Sequence, residues 1–431
     1  MARSAQRNRR RPVAAKASPV MAELEIASLG ARGDGVARNG GEEIFVPYAL
    51  PGERVRALVS EGRGHVREIL TASTHRIETR CRHFGDCGGC ALQHASQDFY
   101  LGWKRELVIA ALARVGLKEA RVNEVVRIEP ATRRRASFAV KRTGDGAVFG
   151  FNARASHRIV EIVSCGILRP ALFDALPGLK ALAAALPGDW RSFDMSVTLC
   201  DNGLDVDVAP SKGAHEPEGA TLQNLSAAMR ATGIVRLSIS REPLLTLAAP
   251  VVRFAGVPVS PPAGGFLQAS FEGEMTLAAL VEGAASGARR ALDLFCGAGA
   301  FSLPLSKTAT VHAVDSDKPA IAALAAAASG SPYRPITAEA RNLFERPLMA
   351  DELRDYDLVL FDPPRAGARE QAGEIARSQV PAVVGVSCNP ATFARDAALL
   401  AAGRYALLEV TPVDQFVYSP HVELVGVFAK R

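Results

Sequence analysis

From about residue 288 onward the chain alternates short apolar runs with helix-forming segments, and no other feature constrains its fold as strongly. ALDLF, TVHAVD, YDLVLFD and AVVGVSC read as strands, and 299–307, 318–328, 369–379 and 392–402 read as helices lying between most of them. Strands separated by helices pair in parallel, because each crossover carries the chain back to the same end of the sheet. The expected fold is α/β, a sheet wound on both faces. The last two runs, YALLEVTPVD and HVELVGVFAK, have no helix between them and predict an antiparallel hairpin at the sheet edge.

In such sheets ligands bind beyond the carboxyl ends of the strands. The first strand runs into CGAGAFSLPL, where Gly297 and Gly299 form G-x-G before a helix, and Asp315 ends the next strand, well placed for ribose hydroxyls. Glycine at these positions lets backbone approach a ligand closely. A dinucleotide fingerprint wants a third glycine three residues on; here that residue is Ser302. The turn therefore suits a ligand without a pyrophosphate, such as S-adenosylmethionine.

Three other strand ends are chemically rich: Asp362-Pro363-Pro364, Ser387-Cys388-Asn389-Pro390 and His421-Val422-Glu423. A thiol near carboxylates and a basic side chain, Arg365, has the setting of a reactive cysteine. The competing reading is a buried structural cysteine, against which Asn389 and Pro390 argue by turning the chain. Asp-Pro-Pro followed by an aromatic residue binds exocyclic amines in methyltransferases. Arg365 stands at the fourth position here, which disfavours amine methylation.

The rest of the chain is less regular. Residues 19–75 carry short strand-like runs punctuated by GDG, NGG and PGE, as in a small OB-type barrel. A helix is expected over 97–115, and a central region runs to 262 without a legible topology. The net charge is +6, and the cations Arg3, Arg7, Arg9, Arg10, Arg11 and Lys16, with no acid among residues 1–20, account for all of it. Residues 1–18 therefore read as a basic tail that either attracts phosphates or merely solubilises. It lacks the apolar stretch of a secretory signal, and no run of residues is long and apolar enough for a membrane span.

Seven cysteines, at 81, 87, 90, 165, 200, 296 and 388, make an odd set with three crowded together. In a chain with no export signal that pattern implies a reducing, cytoplasmic setting and metal or catalytic roles. Cys81, Cys87 and Cys90 offer three soft ligands on a glycine-rich loop, and spacing alone leaves zinc and an iron–sulfur cluster both open. Arg133, Arg134, Arg135, Lys141 and Arg142 could grip phosphates nearby or form a solvated edge.

DLFCGAGAFSLPL, FDPPRAG, VSCNPATFARD, PHVELV, FLQAS at 266–270 and the early cysteines together resemble the RNA uracil-5 methyltransferases, the family of the bacterial 23S ribosomal RNA and transfer RNA 5-methyluridine enzymes. The resemblance covers nearly the whole chain. It implies a TRAM barrel over 19–75, a central α+β iron–sulfur and RNA-binding domain over 76–262, and a class I methyltransferase domain over 263–431, with helix 97–115 packing on the last. By resemblance the nucleophile falls on Cys388 and the base on Glu423. Cofactor contacts fall on Gln268, Phe295, Asp315, Asn342 and Asp362, beside Gly297 and Gly299.

The resemblance also supplies Cys165 as a fourth ligand and a [4Fe-4S] cluster as what the four cysteines hold. It favours 23S ribosomal RNA, since the family's transfer RNA members generally lack these cysteines, and a monomer with no membrane partner. A transfer RNA target and a non-catalytic RNA-binding assembly factor are the alternatives. Three positions depart from the family's pattern: Ser270 and Ala300 stand where asparagine is common, and Asp315 where glutamate is. Phe266 and Phe271 could stack on an unstacked uracil or belong to the core.

Overall fold

The computed structural model describes residues 18–143, 146–211 and 215–431. The basic tail, but for its last residue, and positions 212–214 of the loop near 211–219 lie outside the described residues. Two compact units divide the chain, 1–77 and 78–431.

The first unit is a closed barrel of β1 (Val20–Leu29), β2 (Gly35–Asn39), β3 (Glu42–Val46), β4 (Arg54–Ser60) and β5 (Arg63–Thr71), in the order β1-β2-β3-β5-β4. Alternation places Leu24, Ile26, Ile44, Val46 and Val55 inside, at 3% exposure or less. Closure removes the free edges that five short strands would otherwise present.

In the second unit, α1 (Gln97–Arg114) and the two-residue β6 (Val126–Arg127) precede an antiparallel-rich sheet. That sheet contains β7 (Arg135–Thr143), β8 (Gly146–Asn152), β9 (Ile159–Glu161), β10 (Ser192–Cys200), β11 (Gly203–Pro210), β12 (Ile234–Ile239) and β13 (Glu242–Thr246). Its order is β13-β12-β11-β10-β7-β8-β9. Helices α2 (Pro170–Asp174), α3 (Leu176–Ala185) and α4 (Ala220–Thr232) supply Leu172, Leu179, Leu182, Leu225 and Met229 to one core with Phe138, Met195 and Val206 of the strands. A small hairpin, β14 (Val252–Phe254) with β15 (Val257–Val259), and α5 (Phe271–Ala284) lead into the last third.

There the strands are β16 (Arg290–Leu294), β17 (Thr310–Asp315), β18 (Ile336–Ala340), β19 (Leu358–Phe361), β20 (Ala382–Ser387), β21 (Tyr405–Asp414) and β22 (Glu423–Lys430). The helices are α6 (Ser302–Leu305), α7 (Lys318–Ser329), α8 (Arg369–Arg377) and α9 (Pro390–Ala402). The sheet order is β18-β17-β16-β19-β20-β22-β21-β6, with parallel pairing from β18 through β20. Fully apolar strands such as β19 reflect burial on both faces.

Two expectations need correction, and one strand was not foreseen. The closing hairpin exists, but not at the edge: β22 inserts antiparallel between β20 and β21, and β6 pairs in parallel outside β21. An apolar run buried on both faces does not reveal which strand will be central. The helix expected over 299–307 shrinks to the single turn of α6, because Gly297 and Gly299 hold positive φ, +53° and +97°, which ends any helical path before Ser302. The strand β18, ITAEA, carries too little apolar pattern to be read in advance.

Two glycines face each other where β20 meets β22, Gly385 opposite Gly426. A Cβ at Gly385 would lie 2.7 Å from the ring of Phe361, and one at Gly426 2.3 Å from the ring of Phe393. The two phenylalanines fill the space those side chains would need. Helix α1 docks on this same side, where Val108, Ala111 and Leu112 share a core with Leu292, Phe361, Phe393 and Phe428.

Candidate active site

The glycine turn is built at the end of β16. Phe295 itself has φ +63°, and its N–H donates to Val314 O at 2.8 Å, so the chain folds back across β17 before the glycines begin. A Cβ on Gly299 would meet Leu324 of α7 at 2.5 Å; only glycine allows that approach. Asp315, ending β17, accepts the N–H of Gly297 at 2.9 Å and that of Asp317 at 2.8 Å. Its carboxylate stabilises the turn and has lone pairs left for further donors.

Phe295 is half-buried, with the exposed ring of Phe344 at 5.5 Å between centroids. Asn342 accepts the N–H of Phe344 at 3.1 Å. Phe295, Asp315 and Asn342 thus gather around one end of the turn, and Phe344 joins them without having been legible in advance. Asp293 was also not singled out. It is completely buried, and its Oδ2 accepts the Ser302 hydroxyl at 2.5 Å, while its Oδ1 has no hydrogen-bond partner among the described residues. Burial raises its pKa to about 7. Ser302, standing where a dinucleotide site wants glycine, therefore satisfies a buried acid in the floor of the turn.

The second half of the site comes from three adjacent strand ends. Asp362 follows β19, Cys388 follows β20, and Glu423 begins β22. Ser387 pairs with Leu424, the last rung of β20 with β22, and just beyond it Cys388 and Glu423 come within electrostatic reach of each other. Cys388 is half-buried and immediately precedes the N-cap of α9, Asn389, whose Oδ1 accepts the N–H of Ala391 at 3.1 Å. Asn389 also donates to Arg365 O at 3.1 Å, tying the Asp-Pro-Pro-Arg loop to the cysteine loop.

Electrostatics here pull in both directions. Burial, then the neighbouring Glu423 and Asp362, push the Cys388 thiol up; Arg365, which hydrogen-bonds the thiol, pulls it down. The positive end of α9 favours the thiolate as well. Arg365 is in turn held by His421, 2.7 Å from Nδ1. Desolvation and the cations Arg365, Lys104 and Arg133 lower the His421 pKa to about 4, so its ring is neutral and accepts.

Glu423 is 3% exposed, and burial raises its pKa to about 7. Asp362 lies well above the usual carboxylate range, through burial and the nearby Glu423 and Asp315. Two acids this close and this dry hold a proton between them near neutrality. Gln268, 3% exposed, reaches Glu423 through one intermediary: Gln415 Nε2 donates to Gln268 Oε1 at 2.7 Å and to Glu423 Oε2 at 2.8 Å. Ser270, where the family favours asparagine, caps α5 by accepting the N–H of Gly273 at 3.0 Å.

Phe266 is 70% exposed and Phe271 38% exposed, so neither is core. The arginine cluster is a different matter. Arg134 is buried and salt-bridged to Glu274 at 2.6 Å, Arg133 donates to Arg135 O at 2.9 Å, and Arg142 donates to the carbonyls of Ala183 and Leu186. Arg134 and Arg142 serve the fold, not phosphates, because the acceptors in reach are internal.

Cys87 bridges to Ala153 just past β8, and Gly88 presses on Asn152 O, where a Cβ would stand 2.8 Å away. Cys87 and Cys165 pack on one small apolar cluster of Ala153, Val160 and Ile162. Cys81, Cys87, Cys90 and Cys165 lie within electrostatic reach of one another. Among the described residues, no group of three or more His, Cys, Asp or Glu is gathered closely enough to hold a metal ion.

A glycine turn ending the first strand, an acid ending the second, and an antiparallel strand inserted last define a class I, S-adenosylmethionine-dependent methyltransferase. Residues 336–431 match the family described as tRNA (Uracil-5-)-methyltransferase. An RNA methyltransferase of Agrobacterium fabrum is 43% identical over 94% of this chain and 99% of its own. The 23S rRNA (uracil(1939)-C(5))-methyltransferase RlmD of Halomonas elongata is 33% identical over 97% of this chain and 92% of its own. The Pyrococcus abyssi tRNA (uracil-54, C5)-methyltransferase, solved with S-adenosyl-L-homocysteine, shares the fold with a TM-score of 0.70 at 22% identity, covering 95% and 100% of the two chains. The chain belongs to the RNA uracil-5 methyltransferase family. Among the described residues no helix is long and apolar enough to cross a membrane.

Proposed function

We propose that the protein methylates carbon 5 of one uridine in 23S ribosomal RNA through a transient covalent bond between Cys388 and carbon 6. The observation that carries this reading is that Cys388, one residue past the Ser387–Leu424 rung, lies within electrostatic reach of Glu423. Carbon 5 of uracil is a poor nucleophile. Addition of the Cys388 thiolate to carbon 6 breaks the ring conjugation and moves an electron pair through carbon 5 to the O4 enolate. Carbon 5 then attacks the methyl carbon, and the C–S bond electrons return to the sulfonium, which leaves as the neutral thioether.

The Glu423 carboxylate next removes the carbon 5 proton. The electrons of that C–H bond reform the C5–C6 double bond and expel the thiolate. Asp362, with its raised pKa, holds a proton to offer the enolate oxygen, the role a buried neutral acid suits best. Gln268, Phe295, Gly297, Gly299, Asp315 and Asn342 hold the cofactor around the turn. The target uridine enters unstacked, with Phe266 as an exposed surface to stack on. The barrel of residues 19–75 and the region 76–262 grip the surrounding RNA, and residues 263–431 carry the chemistry.

The four cysteines hold a [4Fe-4S] cluster. The likeness of the early cysteines to the family's set is what supports a cluster over a single zinc ion. Burial first, and then the neighbouring thiols, push the Cys87 and Cys90 thiols up, so a cationic centre would favour their ionisation. No step of methyl transfer is a redox step, so the group supplies a staple between the 81–90 loop and the strand before Cys165. Ribosomal RNA is favoured by the Halomonas relative's match over nearly the whole chain; the family match described for tRNA keeps transfer RNA as the second reading.

Mapping 5-methyluridine in ribosomal and transfer RNA from cells with and without the gene decides the substrate. For the mechanism, Glu423→Gln incubated with RNA and S-adenosylmethionine gives a protein–RNA adduct that denaturing gels resolve. Cys388→Ala gives neither adduct nor product while still binding cofactor; methylation by Cys388→Ala rules the mechanism out.

A further inference from the structure

We propose that Lys104 of α1 is a positioning residue for proton abstraction, acting through the segment that carries Glu423; this rests on the assignment of Glu423 as the base. Lys104 is 0% exposed. A lysine ammonium so far from water is tolerated only when its protons are bonded. All of its acceptors lie on one stretch of chain. They are the Asp414 carboxylate, the carbonyl of Phe416 at 3.2 Å and the carbonyl of His421 at 2.6 Å.

Asp414 ends β21 and His421 stands two residues before Glu423, so a single ammonium clasps both ends of the link between the last two strands. Tyr100, one helical turn earlier on the same face of α1, adds two more bonds. Its hydroxyl donates to Asp414 at 2.9 Å and accepts the N–H of Tyr418 at 2.8 Å. The Tyr418 carbonyl accepts from Ala91 N at 2.8 Å and Leu92 N at 3.1 Å. The link has no helix or strand of its own, yet it is fixed at its start, middle and end from outside.

What the link carries is the site. Gln415 holds Glu423, and His421 holds Arg365. Helix α1 is a firm platform for this, since Val108, Ala111 and Leu112 seat it independently in the core under α9. A buried ion pair is a poor device for stability alone, because apolar residues of the same volume do as well or better. Here it delivers a fixed location to a carboxylate whose reaction depends on reaching one hydrogen.

The test is the charge-neutral double variant Lys104→Met/Asp414→Asn, which leaves no uncompensated buried charge, beside the single Lys104→Met. Two RNAs separate the steps. With 5-fluorouridine at the target there is no carbon 5 proton to remove, so the methylated adduct accumulates whatever the base does. With ordinary uridine the adduct persists only when proton removal is slow. In the double variant turnover falls about 100-fold, the cost of a catalytic group displaced by about 1 Å. Cofactor binding by calorimetry and 5-fluorouridine trapping stay at wild-type levels, and adduct builds up on ordinary uridine RNA. Wild-type turnover, or a loss of cofactor binding and trapping in step with turnover, overturns the proposal. Failure of the wild-type enzyme to trap on 5-fluorouridine RNA identifies the Cys388 mechanism itself as the fault and removes the premise.

Discussion

Gln415 donates one side-chain amide to two buried oxygens, the carboxylate Oε2 of Glu423 at 2.8 Å and the amide Oε1 of Gln268 at 2.7 Å, while its own Oε1 has no hydrogen-bond partner among the described residues. The amide lowers the pKa of Glu423 against the upward push of burial, leaving it at about 7. The base works as a carboxylate, so the rate of adduct breakdown rises as pH passes about 7. Gln415→Leu removes the donor and moves that limb to higher pH. A hydrogen bond to a charged group is worth about 1.5–3 kcal/mol, which is roughly one to two pH units. Pre-steady-state pH profiles of the two proteins check this; coincident limbs refute it. The same raised pKa means the unfolded chain ionises this carboxyl first, so stability is lost as pH rises from about 4.5 to about 7. Glu423→Gln flattens that slope in urea titrations.

Gly299 holds φ +97° and leaves 2.5 Å between a notional Cβ and Leu324. Gly299→Ala is both strained and crowded, at a cost of about 1–3 kcal/mol. The strain is relieved by moving the turn, so S-adenosylmethionine binding weakens by calorimetry while RNA binding holds. Gly102→Ala, in the middle of α1 with open space around it, is the control and leaves affinity unchanged.

Ser302→Ala strips Asp293 of its one side-chain donor. An acid already raised to about 7 then rises further. The unfolded chain ionises it at the ordinary value, so the penalty grows as pH climbs through neutrality. A loss of about 1–3 kcal/mol is expected, larger at pH 8 than at pH 5. Equal losses at both pH values contradict it.

The cysteine assignment has a visible signature. Protein purified without oxygen is brown and absorbs in the visible region, and Cys165→Ser bleaches it. Colourless protein with stoichiometric zinc refutes the cluster.

What could be read in advance followed local pattern. The strands β16, β17, β19 and β20 with the helices between them, the glycine turn and the thiol at the end of β20 all sit in contiguous motifs. The central sheet did not, because strands such as β7, RASFAVKRT, mix charge into a run whose partners lie far along the chain. Arg134 looks like a phosphate clamp in sequence and is a buried partner of Glu274 in the fold. Lys104 gave no signal at all: its acceptors are some 310 residues away, and nothing in QDFYLGWKRELV separates it from an ordinary surface lysine.

The glycine pair Gly385 and Gly426 has a consequence for the chemistry. Sliding β22 by two residues along β20 would keep every side chain on its own face and would carry the carboxylate about 7 Å from the sulfur. Burial of apolar surface scarcely penalises such a slip, so general stability is a weak guard against it. The rings of Phe361 and Phe393 supply the guard, since only a strand offering no side chain at that rung fits beneath Phe393. Two aromatic wedges in the core thereby fix the register that sets Glu423 against Cys388.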